Sequence, residues 1–341
     1  MKEKSKNKED AARGRTGPPG SMKSFLIAEN DAGQRLDKFL QKSVPLLPKS
    51  LLYKSIRTKR IKRNGKRAAL NDRLEPGDRI DLYLNDEFFE ARPDHLFLSV
   101  PARIDVVYED EQVLLVNKPQ GLVVHEDNDN TADTLINRVL HYLYNTGAYD
   151  PEQELSFIPA LANRIDRNTC GIVLVAKTAA ALRVLNEKLK HREITKQYLC
   201  LLAGRPEPPA ATVTHYMKKH AGDRMVTVQD HPGPETRTMV TQYRVLETRG
   251  GISLAEVTLH TGRTHQIRAH MAYLGTPLLG EGKYGLGEIN RKYGYRHQAL
   301  CAWRVQFDFQ TDAGVLEYLK GKSFQVGDIW FVREFREGKL R

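Results

Sequence analysis

The chain has 341 residues, of which 40% are hydrophobic, so it can bury a sizeable core within one large domain or within a large and a small one. No run of about 18 apolar residues occurs, which excludes a membrane span, and we expect no membrane partner. The three cysteines lie far apart, which predicts neither a disulfide framework nor a cysteine zinc site and favours a reducing, cytoplasmic setting.

Residues 1–21 form a polar segment that is rich in charge, Gly and Pro. They lack the apolar core of a secretory signal, and a segment of this composition does not fold on its own. The Gly20-Ser21-Met22 junction is typical of a cloning remnant that precedes a natural start at Met22. We therefore expect residues 1–21 to be a disordered tail or a vector-derived segment.

The net charge of +11 is concentrated in one short window of the chain. Between Arg35 and Arg67 there are 12 Lys or Arg side chains and a single acid, Asp37, so the rest of the chain is close to neutral. A local patch of this density is typical of a nucleic-acid-binding module, although a solvated charged face has the same composition.

Two short helices and a hairpin are predicted inside and just after this window. Apolar residues recur at helical spacing over 36–44 and again from Leu51, with two prolines between the two runs. Asn64-Gly65 is a strong hairpin signal, and the turn Pro76-Gly77-Asp78 leads into an alternating strand over 79–84. These elements predict a small basic α+β module.

The segment from 34 to 84 resembles the RNA-binding module first known from ribosomal small-subunit protein four. We expect the whole module to span residues 22–90 and to bind RNA phosphates, which give affinity without sequence information. The expected RNA contacts are Arg35, Lys38, Lys54, Arg57, Lys59, Arg60, Lys62 and Arg63.

Residues 91–101 have mixed polarity and two prolines, which predicts a linker, and residues 102–341 are expected to form a second domain. The strands predicted in it are 113–116, 171–176, 197–202, 239–246, 253–259 and 301–309. The main predicted helices are 134–144 and 179–190. Many strands with few helices indicate an α+β domain on a mostly antiparallel sheet, and the tail from Gly321 is expected to add a closing strand.

One carboxylate of the second domain is a candidate for chemistry. Asp166 lies between Arg164 and Arg167, shortly before the apolar run 172–176. An acid held between fixed cations keeps its charge, which makes Asp166 a candidate nucleophile. The alternative is ordinary turn chemistry, in which Asp166 bonds only its own backbone.

Four motifs occur together in the second domain. They are Val116 to His125, Leu161 to Gly171, Thr195 to Leu199, and Leu259 to His270. In this order, behind the RNA-binding module, they resemble the RluA-type pseudouridine synthases, which modify ribosomal or transfer RNA. The resemblance spans about residues 100 to 310 and implies that the second domain is a pseudouridine synthase catalytic domain.

The resemblance also implies roles for individual side chains. Asp166 would be the catalytic carboxylate, Arg268 would pair with it, and Tyr198 would stack on the uracil and assist the final proton removal. Arg164 resembles the family residue that enters the RNA stack when the target base is flipped out. The other expected substrate contacts are Arg263, His265 and Gln266. Without the resemblance, Tyr198 is also typical of a tyrosine in a protein core. Likewise, Arg263 and Arg268 are then typical of a cationic helix face.

We expect no cofactor and no metal. Uracil is cut from the ribose and rejoined through a ring carbon without electron transfer, so the reaction demands neither. The histidines His260, His265 and His270 are spaced by five residues, which turns them off a shared helix face and argues against a metal site. Gly280 to Gly285 fits GxGxxG but lacks the strand-turn-helix context of a dinucleotide site.

The expected substrate is large-subunit ribosomal RNA, with transfer RNA as the second choice, and we expect the protein to be a monomer. The alternative from another functional class is a ribosome assembly factor that binds RNA without catalysis. The presence of Asp166, Tyr198 and Arg268 argues against that alternative, since a binding protein has no need of all three.

Overall fold

The structure is a computed structural model that describes residues 22–89, 95–126, 131–219, 225–285 and 287–340. The tail expected to be disordered, residues 1–21, lies outside the described residues. The chain divides into two compact units: the first comprises Met1–Asp94 and Pro151–Phe157, and the second comprises His95–Asp150 and Ile158–Arg341.

The first unit contains a four-stranded sheet and two α-helices. Its elements are β1 (Met22–Leu26), α1 (Leu36–Ser43), α2 (Lys49–Arg57), β2 (Ile61–Arg63), β3 (Lys66–Arg67) and β4 (Arg79–Tyr83). The strand order is β1-β4-β2-β3, with antiparallel neighbours. Leu36, Phe39 and Leu40 of α1 are fully buried, so the apolar residues at helical spacing form the face that packs into the core. Both predicted helices are confirmed, and β1 was not predicted.

The predicted hairpin turns at Asn64-Gly65, where φ is +52° and +74°. A two-residue hairpin turn of this kind needs the left-handed region at both positions, which Asn tolerates and Gly adopts freely. The Asn64 side chain also donates to Asp78 Oδ1 at 2.7 Å and accepts from Arg79 N at 2.8 Å. These bonds fix the hairpin against β4.

The segment Pro151–Phe157 belongs to the first unit, although it is far from it in sequence. Ser156 Oγ donates to Asp31 Oδ1 at 2.5 Å and accepts from Gln34 Nε2 at 2.7 Å. Leu155 packs against the apolar core of the unit. Periodicity along the chain carries no signal for such a nonlocal contact, so sequence reasoning placed this segment in the second domain.

The second unit is built on one large sheet, which confirms the predicted α+β class. Its described strands are β5 (Val106–Glu109), β6 (Val113–Lys118), β7 (Ala160–Leu161), β8 (Cys170–Ala176), β9 (Ile194–Ala203), β10 (Ala210–Lys219), β11 (Val226–Gln229), β12 (Arg237–Arg249), β13 (Ile252–Leu259), β14 (Leu300–Phe307) and β15 (Ser323–Gln325). The path through the sheet is β11-β10-β12-β13-β9-β14-β8-β6-β5, with β15 beside β14 and β7 beside β8. Strands β8 and β14 run parallel, and the other pairings in the described part of the sheet are antiparallel.

Helices cover this sheet, and a core lies on each face. The described α-helices are α3 (Leu135–Asn145), α4 (Ala179–Lys190), α5 (Gln266–Tyr273), α6 (Gly287–Lys292) and α7 (Trp330–Arg336). In β9, Leu199 belongs to one core and its neighbours Tyr198 and Cys200 to the other, because successive strand residues point to opposite faces. Within the described part of the chain, every helix falls short of the length or apolar character that a bilayer span requires.

Two parts of the second unit differ from the sequence prediction. The tail was expected to add a closing strand, and β15 does pair with β14, but helix α7 follows it. Phe331, Val332 and Phe335 of α7 are buried, so a short amphipathic helix closes the core. Inside the predicted linker 91–101, Leu96–Ser99 form a 3-10 helix with Phe97 buried.

Candidate active site

Asp166 lies in the loop between β7 and β8, next to the buried Ile165. Its backbone carbonyl accepts a hydrogen bond from Thr169 N at 3.0 Å, which closes a turn. Its carboxylate does not serve that turn, because Oδ2 accepts from Arg268 Nη1 at 2.9 Å. The backbone of Asp166 therefore forms the turn that the sequence offered as an alternative. Its side chain takes no part in that turn and instead pairs with Arg268.

The loop that carries Asp166 is anchored by a buried lysine. Lys118, at the end of β6, is fully buried, and its ammonium donates to the carbonyls of Pro119, Leu122 and Arg167 at 2.8, 2.7 and 2.8 Å. Burial lowers the pKa of Lys118 to about 8. Three carbonyls take up the three donors of the ammonium, so Lys118 ties the chain after β6 to the Asp166 loop.

The close approach of β8 to β14 also requires a glycine. Gly171 has φ +110°, and a Cβ at this position would lie 2.3 Å from Ala302 O. Only a residue without a side chain fits here. The end of the Asp166 loop is therefore fixed by the parallel pairing of the two strands.

Arg268 on α5 is held between two carboxylates. Its Nη1 donates to Asp166, and its Nε and Nη2 donate to the two oxygens of Glu281 at 2.6 and 2.7 Å. Burial opposes the charge of Arg268, but the hydrogen bonds and charges of Glu281 and Asp166 outweigh it and raise the pKa of Arg268. Sequence reasoning missed Glu281, because nothing in the glycine-rich segment around it distinguishes a buried acid from a loop residue.

Tyr198 is almost fully buried in β9 and lines the same cleft as Asp166. Burial, and after it the charge of Asp166, raises the pKa of Tyr198 well above its ordinary value, so the phenol stays protonated at neutral pH. A neutral ring on the cleft wall suits stacking on a planar base. The expected help of Tyr198 in the final proton removal stays a prediction.

His265 precedes α5 in the left-handed region, with φ +54°. Tyr284 Oη accepts from Val226 N at 3.0 Å and is also hydrogen-bonded to His265 Nδ1 at 2.9 Å. His265 Nε2 lies 3.9 Å from Asp166 Oδ2. Burial lowers the pKa of His265 to about 4, against the opposing effect of Asp166, so the ring is uncharged at neutral pH.

The buried amide of Gln266 is saturated by hydrogen bonds within the protein. Its Nε2 donates to Val240 O and Thr241 Oγ1, both at 3.0 Å. Its Oε1 accepts from Thr261 Oγ1 at 2.8 Å and from Arg263 N at 3.0 Å. The side chain therefore shapes the loop before α5 and has no free polar group to offer to a substrate.

A hydrogen-bond chain continues from Gln266 through α5 to the sheet. Thr241 Oγ1 accepts from Gln266 and is also hydrogen-bonded to His270 Nδ1 at 2.8 Å. His270 Nε2 is hydrogen-bonded to His215 Nδ1 at 2.7 Å, and His215 Nε2 lies 3.4 Å from Asp230 Oδ1. Burial, with a contribution from His215, lowers the pKa of His270 to about 4, so the ring is uncharged at neutral pH.

The structure brings all seven predicted catalytic and substrate-binding residues to one cleft of about 330 Å³, which we call the reaction cleft. They are Arg164, Asp166, Tyr198, Arg263, His265, Gln266 and Arg268. Arg164 is exposed, and Arg263 is half-buried with its Nε donating to Thr238 O at 3.2 Å. Three of the four motifs thus meet here, although they are far apart in sequence.

The predicted RNA contacts of the first unit fall into two groups. Arg35 pairs with Asp37 at 3.0 Å and the half-buried Arg63 with Asp78 at 2.7 Å, so both arginines stabilise the module itself. Lys62 is half-buried and lies over the ring of Tyr83. Arg35 is exposed despite its pair with Asp37, and the other exposed cations of the set are Lys38, Lys54, Arg57, Lys59 and Arg60.

Two protein families match the chain. The RNA pseudouridylate synthase family matches residues 112–273, and the S4 domain, which is the module of ribosomal small-subunit protein four, matches residues 34–80. The first range contains Asp166, Tyr198 and Arg268, and the second contains the basic window.

Known proteins resemble most of the chain. An uncharacterised RNA pseudouridine synthase of Mycoplasma genitalium is 34% identical over 289 residues, which are 83% of this chain and 88% of that protein. The ribosomal large subunit pseudouridine synthase C of Escherichia coli is 33% identical over 279 residues, which are 80% of this chain and 82% of that protein.

Two solved structures share the fold. Human RNA pseudouridylate synthase domain containing 4 has a TM-score of 0.54 at 21% identity and covers 70% of this chain and 94% of its own. Human RNA pseudouridylate synthase domain containing 1 has a TM-score of 0.50 at 20% identity, and the match covers 72% of this chain and 98% of that one. The family matches and the relatives show that the chain belongs to the RluA-type RNA pseudouridine synthases, enzymes that isomerise uridines in RNA, and that it carries an N-terminal S4 domain.

Proposed function

We propose that the protein isomerises specific uridines of large-subunit ribosomal RNA, with Asp166 as the catalytic carboxylate. The observation that carries this proposal is the ion pair of Asp166 with the buried Arg268 at 2.9 Å, in a cleft lined by the ring of Tyr198. The Escherichia coli relative, which is named for the large ribosomal subunit, supports the choice of RNA.

The isomerisation breaks the bond between ribose C1′ and uracil N1 and forms a bond between C1′ and uracil C5. A proton leaves C5 and N1 gains one, so no electrons are transferred. Arg268 occupies Oδ2 of Asp166, which leaves Oδ1 to act on the nucleotide. Because Glu281 fixes Arg268 in turn, the side chain of Asp166 is oriented before the substrate arrives.

Two uncharged side chains also lie near this carboxylate. The ring of Tyr198 offers a stacking surface to the uracil, and His265, whose Nε2 lies 3.9 Å from Asp166 Oδ2, can form a hydrogen bond to the nucleotide. A base beside the bound uracil takes the C5 proton, and Tyr198, which lines the same cleft, is expected to assist this step.

A uridine has to leave the RNA stack to reach Asp166. The reaction cleft, at about 330 Å³, is at the small end of the range for ligand pockets, which favours entry of a single extruded nucleotide. Extrusion of a base costs on the order of a few kcal/mol unless the base is already looped out. The exposed guanidinium of Arg164 is planar and suited to stack in the vacated position.

The test is to incubate the wild type, Asp166→Asn and Asp328→Asn with unmodified large-subunit ribosomal RNA and to map pseudouridines by carbodiimide-stop primer extension. We expect discrete stops with the wild type and with Asp328→Asn, and none with Asp166→Asn, because an amide is neither nucleophile nor base. Asp328 is a suitable control because it is 68% exposed, pairs with Arg333 and lies outside the reaction cleft. Normal turnover by Asp166→Asn would contradict the catalytic role of Asp166.

The same assay tests the choice of RNA. If stops appear only on transfer RNA, then transfer RNA and not ribosomal RNA is the substrate. Binding of both RNAs without stops on either would favour the assembly factor. We also propose that the active species is a monomer, because Asp166, Tyr198 and Arg268 meet within one chain and need no residue of a second copy. Light scattering measures its mass.

A further inference from the structure

A second cavity lies beside the reaction cleft in the same unit. It has a volume of about 500 Å³ and shares five lining residues with the reaction cleft: Leu189, Lys196, Leu259, Gly262 and Arg263. We call it the basic cavity, because five of its lining side chains are Lys, Arg or His. They are Lys190, Arg192, Lys196, His260 and Arg263. None of the described residues that line it is an acid.

The cations of the basic cavity come from separate elements of the fold. Lys190 and Arg192 lie at and just after the end of α4, Lys196 lies on β9, and Arg263 lies in the loop before α5. Cations at the end of a helix are common, because they complement the helix dipole. That explanation covers Lys190 and Arg192 but does not extend to Lys196 and Arg263.

Lys196 is the least expected of these cations. It is half-buried, burial lowers its pKa, and its side chain has no hydrogen bond or ion pair to any other residue in the described ranges. A half-buried ammonium without an acid is costly unless a ligand supplies the negative charge. Arg192 adds backbone strain, since it holds φ +63°, where glycine is the usual residue at a helix end.

We propose that the basic cavity binds phosphodiester groups of the RNA next to the extruded uridine. This inference rests on the proposed function. Lys196 and Arg263 line both spaces, so a strand whose uridine lies at Asp166 has to carry its neighbouring backbone past them. An RNA backbone supplies one negative charge per nucleotide, which neutralises the cations from several elements at once.

The experiment uses the full-length protein and a short RNA stem-loop around the mapped uridine. Each phosphate near that uridine is replaced, one at a time, by an uncharged methylphosphonate. We expect one or two positions to weaken wild-type binding by about tenfold, and the same positions to have less than about a twofold effect in Arg192→Gln. Arg192→Gln and Lys190→Gln should each raise KM about five- to tenfold with little change in kcat and lower the salt slope of binding by about 1.

The matched control is Lys320→Gln, because Lys320 is exposed in the same unit and lines neither cavity. We expect it to keep both the wild-type affinity and the wild-type response to every methylphosphonate. Arg192 and Lys190 are exposed, and thermal unfolding verifies that their variants are folded. Millimolar inorganic phosphate, which shares the charge but not the backbone, should not compete with the stem-loop.

Product formation by the wild type separates the two proposals. If the wild type makes pseudouridine and every methylphosphonate has the same effect on the wild type and on Arg192→Gln, the phosphate site is overturned and the proposed function stands. If the wild type makes no pseudouridine in any RNA, the proposed function is overturned and the phosphate site with it. If inorganic phosphate competes with the stem-loop, the basic cavity is a site for free anions. That result would also overturn its assignment to the RNA backbone.

Discussion

The guanidinium of Arg268 meets Glu281 through Nε and Nη2 at 2.6 and 2.7 Å, and it meets Asp166 through Nη1 alone. Glu281 is 1% exposed, so this is a buried pair with two parallel hydrogen bonds. The plane of the guanidinium is therefore set by Glu281, and Asp166 is aligned by an arginine that is already fixed. Removing one partner of a buried pair costs about 3–5 kcal/mol, because the other charge is left unpaired.

We expect Glu281→Gln to lower the free energy of unfolding by about 3 kcal/mol and the single-turnover rate by at least about tenfold. Glutamine keeps one acceptor but has no charge, so Arg268 is free to turn away from Asp166. Urea unfolding and the rate of pseudouridine formation measure the two effects. The control is Glu256→Gln, which removes the more exposed pair with Arg244 and should cost less than about 1 kcal/mol. Equal losses in the two variants would contradict this role of Glu281.

Sequence reasoning located the charged pair at Asp166 but not its support. Asp166, Tyr198 and Arg268 were found because they belong to motifs, and the structure places all three on one cleft. Glu281 lies in no such motif, and its importance comes from burial and from the orientation of Arg268, which depend on tertiary packing. Lys196 belongs to a motif, but the sequence could not show that it is half-buried without an acid partner among the described residues. Both features depend on how the unit folds.

At the scale of elements, periodicity predicted those helices and strands that separate a buried face from an exposed one. Helix α4 was predicted with its observed bounds, and β8 to within one residue. Helix α5 was not predicted, because Gln266 through Met271 are all buried, so no polar face alternates with an apolar one. Its polar residues are buried because they serve the reaction cleft and the hydrogen-bond chain to the sheet, and a hydrophobic pattern does not report such roles.

The hydrogen-bond chain makes the docking of α5 sensitive to pH. His270 is fully buried between Thr241 and His215, and its pKa is lowered from 6.5 to about 4, mainly by burial. Between these two pH values the unfolded chain binds a proton that the folded chain does not. Stability therefore falls as the pH is lowered from 6.5 to about 4, by up to about 1.4 kcal/mol per pH unit for each such histidine.

We expect His270→Gln to flatten this dependence by about one proton, because the variant has no buried imidazole at this position. His265 follows the same sign, so part of the slope should remain. Urea unfolding at several pH values between 7 and about 4 measures the slope for each protein. The control is His191→Gln, since His191 is exposed at the end of α4, and it should keep the wild-type slope. An unchanged slope in His270→Gln would show that His270 is not held uncharged by the fold.

At the scale of the whole molecule, the residues expected to bind RNA phosphates and those of the reaction cleft lie in different parts of the sequence. The basic window that carries the net charge lies in the first unit, and the reaction cleft lies in the second. Both assignments followed from composition and motifs. The segment Pro151–Phe157 was assigned to the second domain, whereas it belongs to the first unit. Its polar contacts with Asp31 and Gln34 join residues more than a hundred positions apart, so the sequence pattern gives no sign of them.

The exposed cations of the first unit should control how RNA binding depends on salt. Arg57 and Arg60 are exposed, whereas Arg35 and Arg63 are engaged by acids of the module. Each phosphate contact contributes about 0.9 to the slope of log affinity against log salt. We therefore expect the double variant Arg57→Gln and Arg60→Gln to lower that slope by about 1 to 2 and to weaken binding of all RNAs alike.

Substitution is a sharper test than deletion of residues 22–90, because deletion would remove Asp31 and Gln34 and leave Ser156 without these hydrogen-bond partners. The control is the double variant Arg304→Gln and Lys320→Gln, which removes the same charge from the second unit outside both cavities. If salt dependence reflected net charge alone, both double variants would change the slope equally. A smaller slope in the Arg57 and Arg60 variant only, with an unchanged kcat at saturating RNA, would show that the first unit binds the backbone and the second performs the reaction.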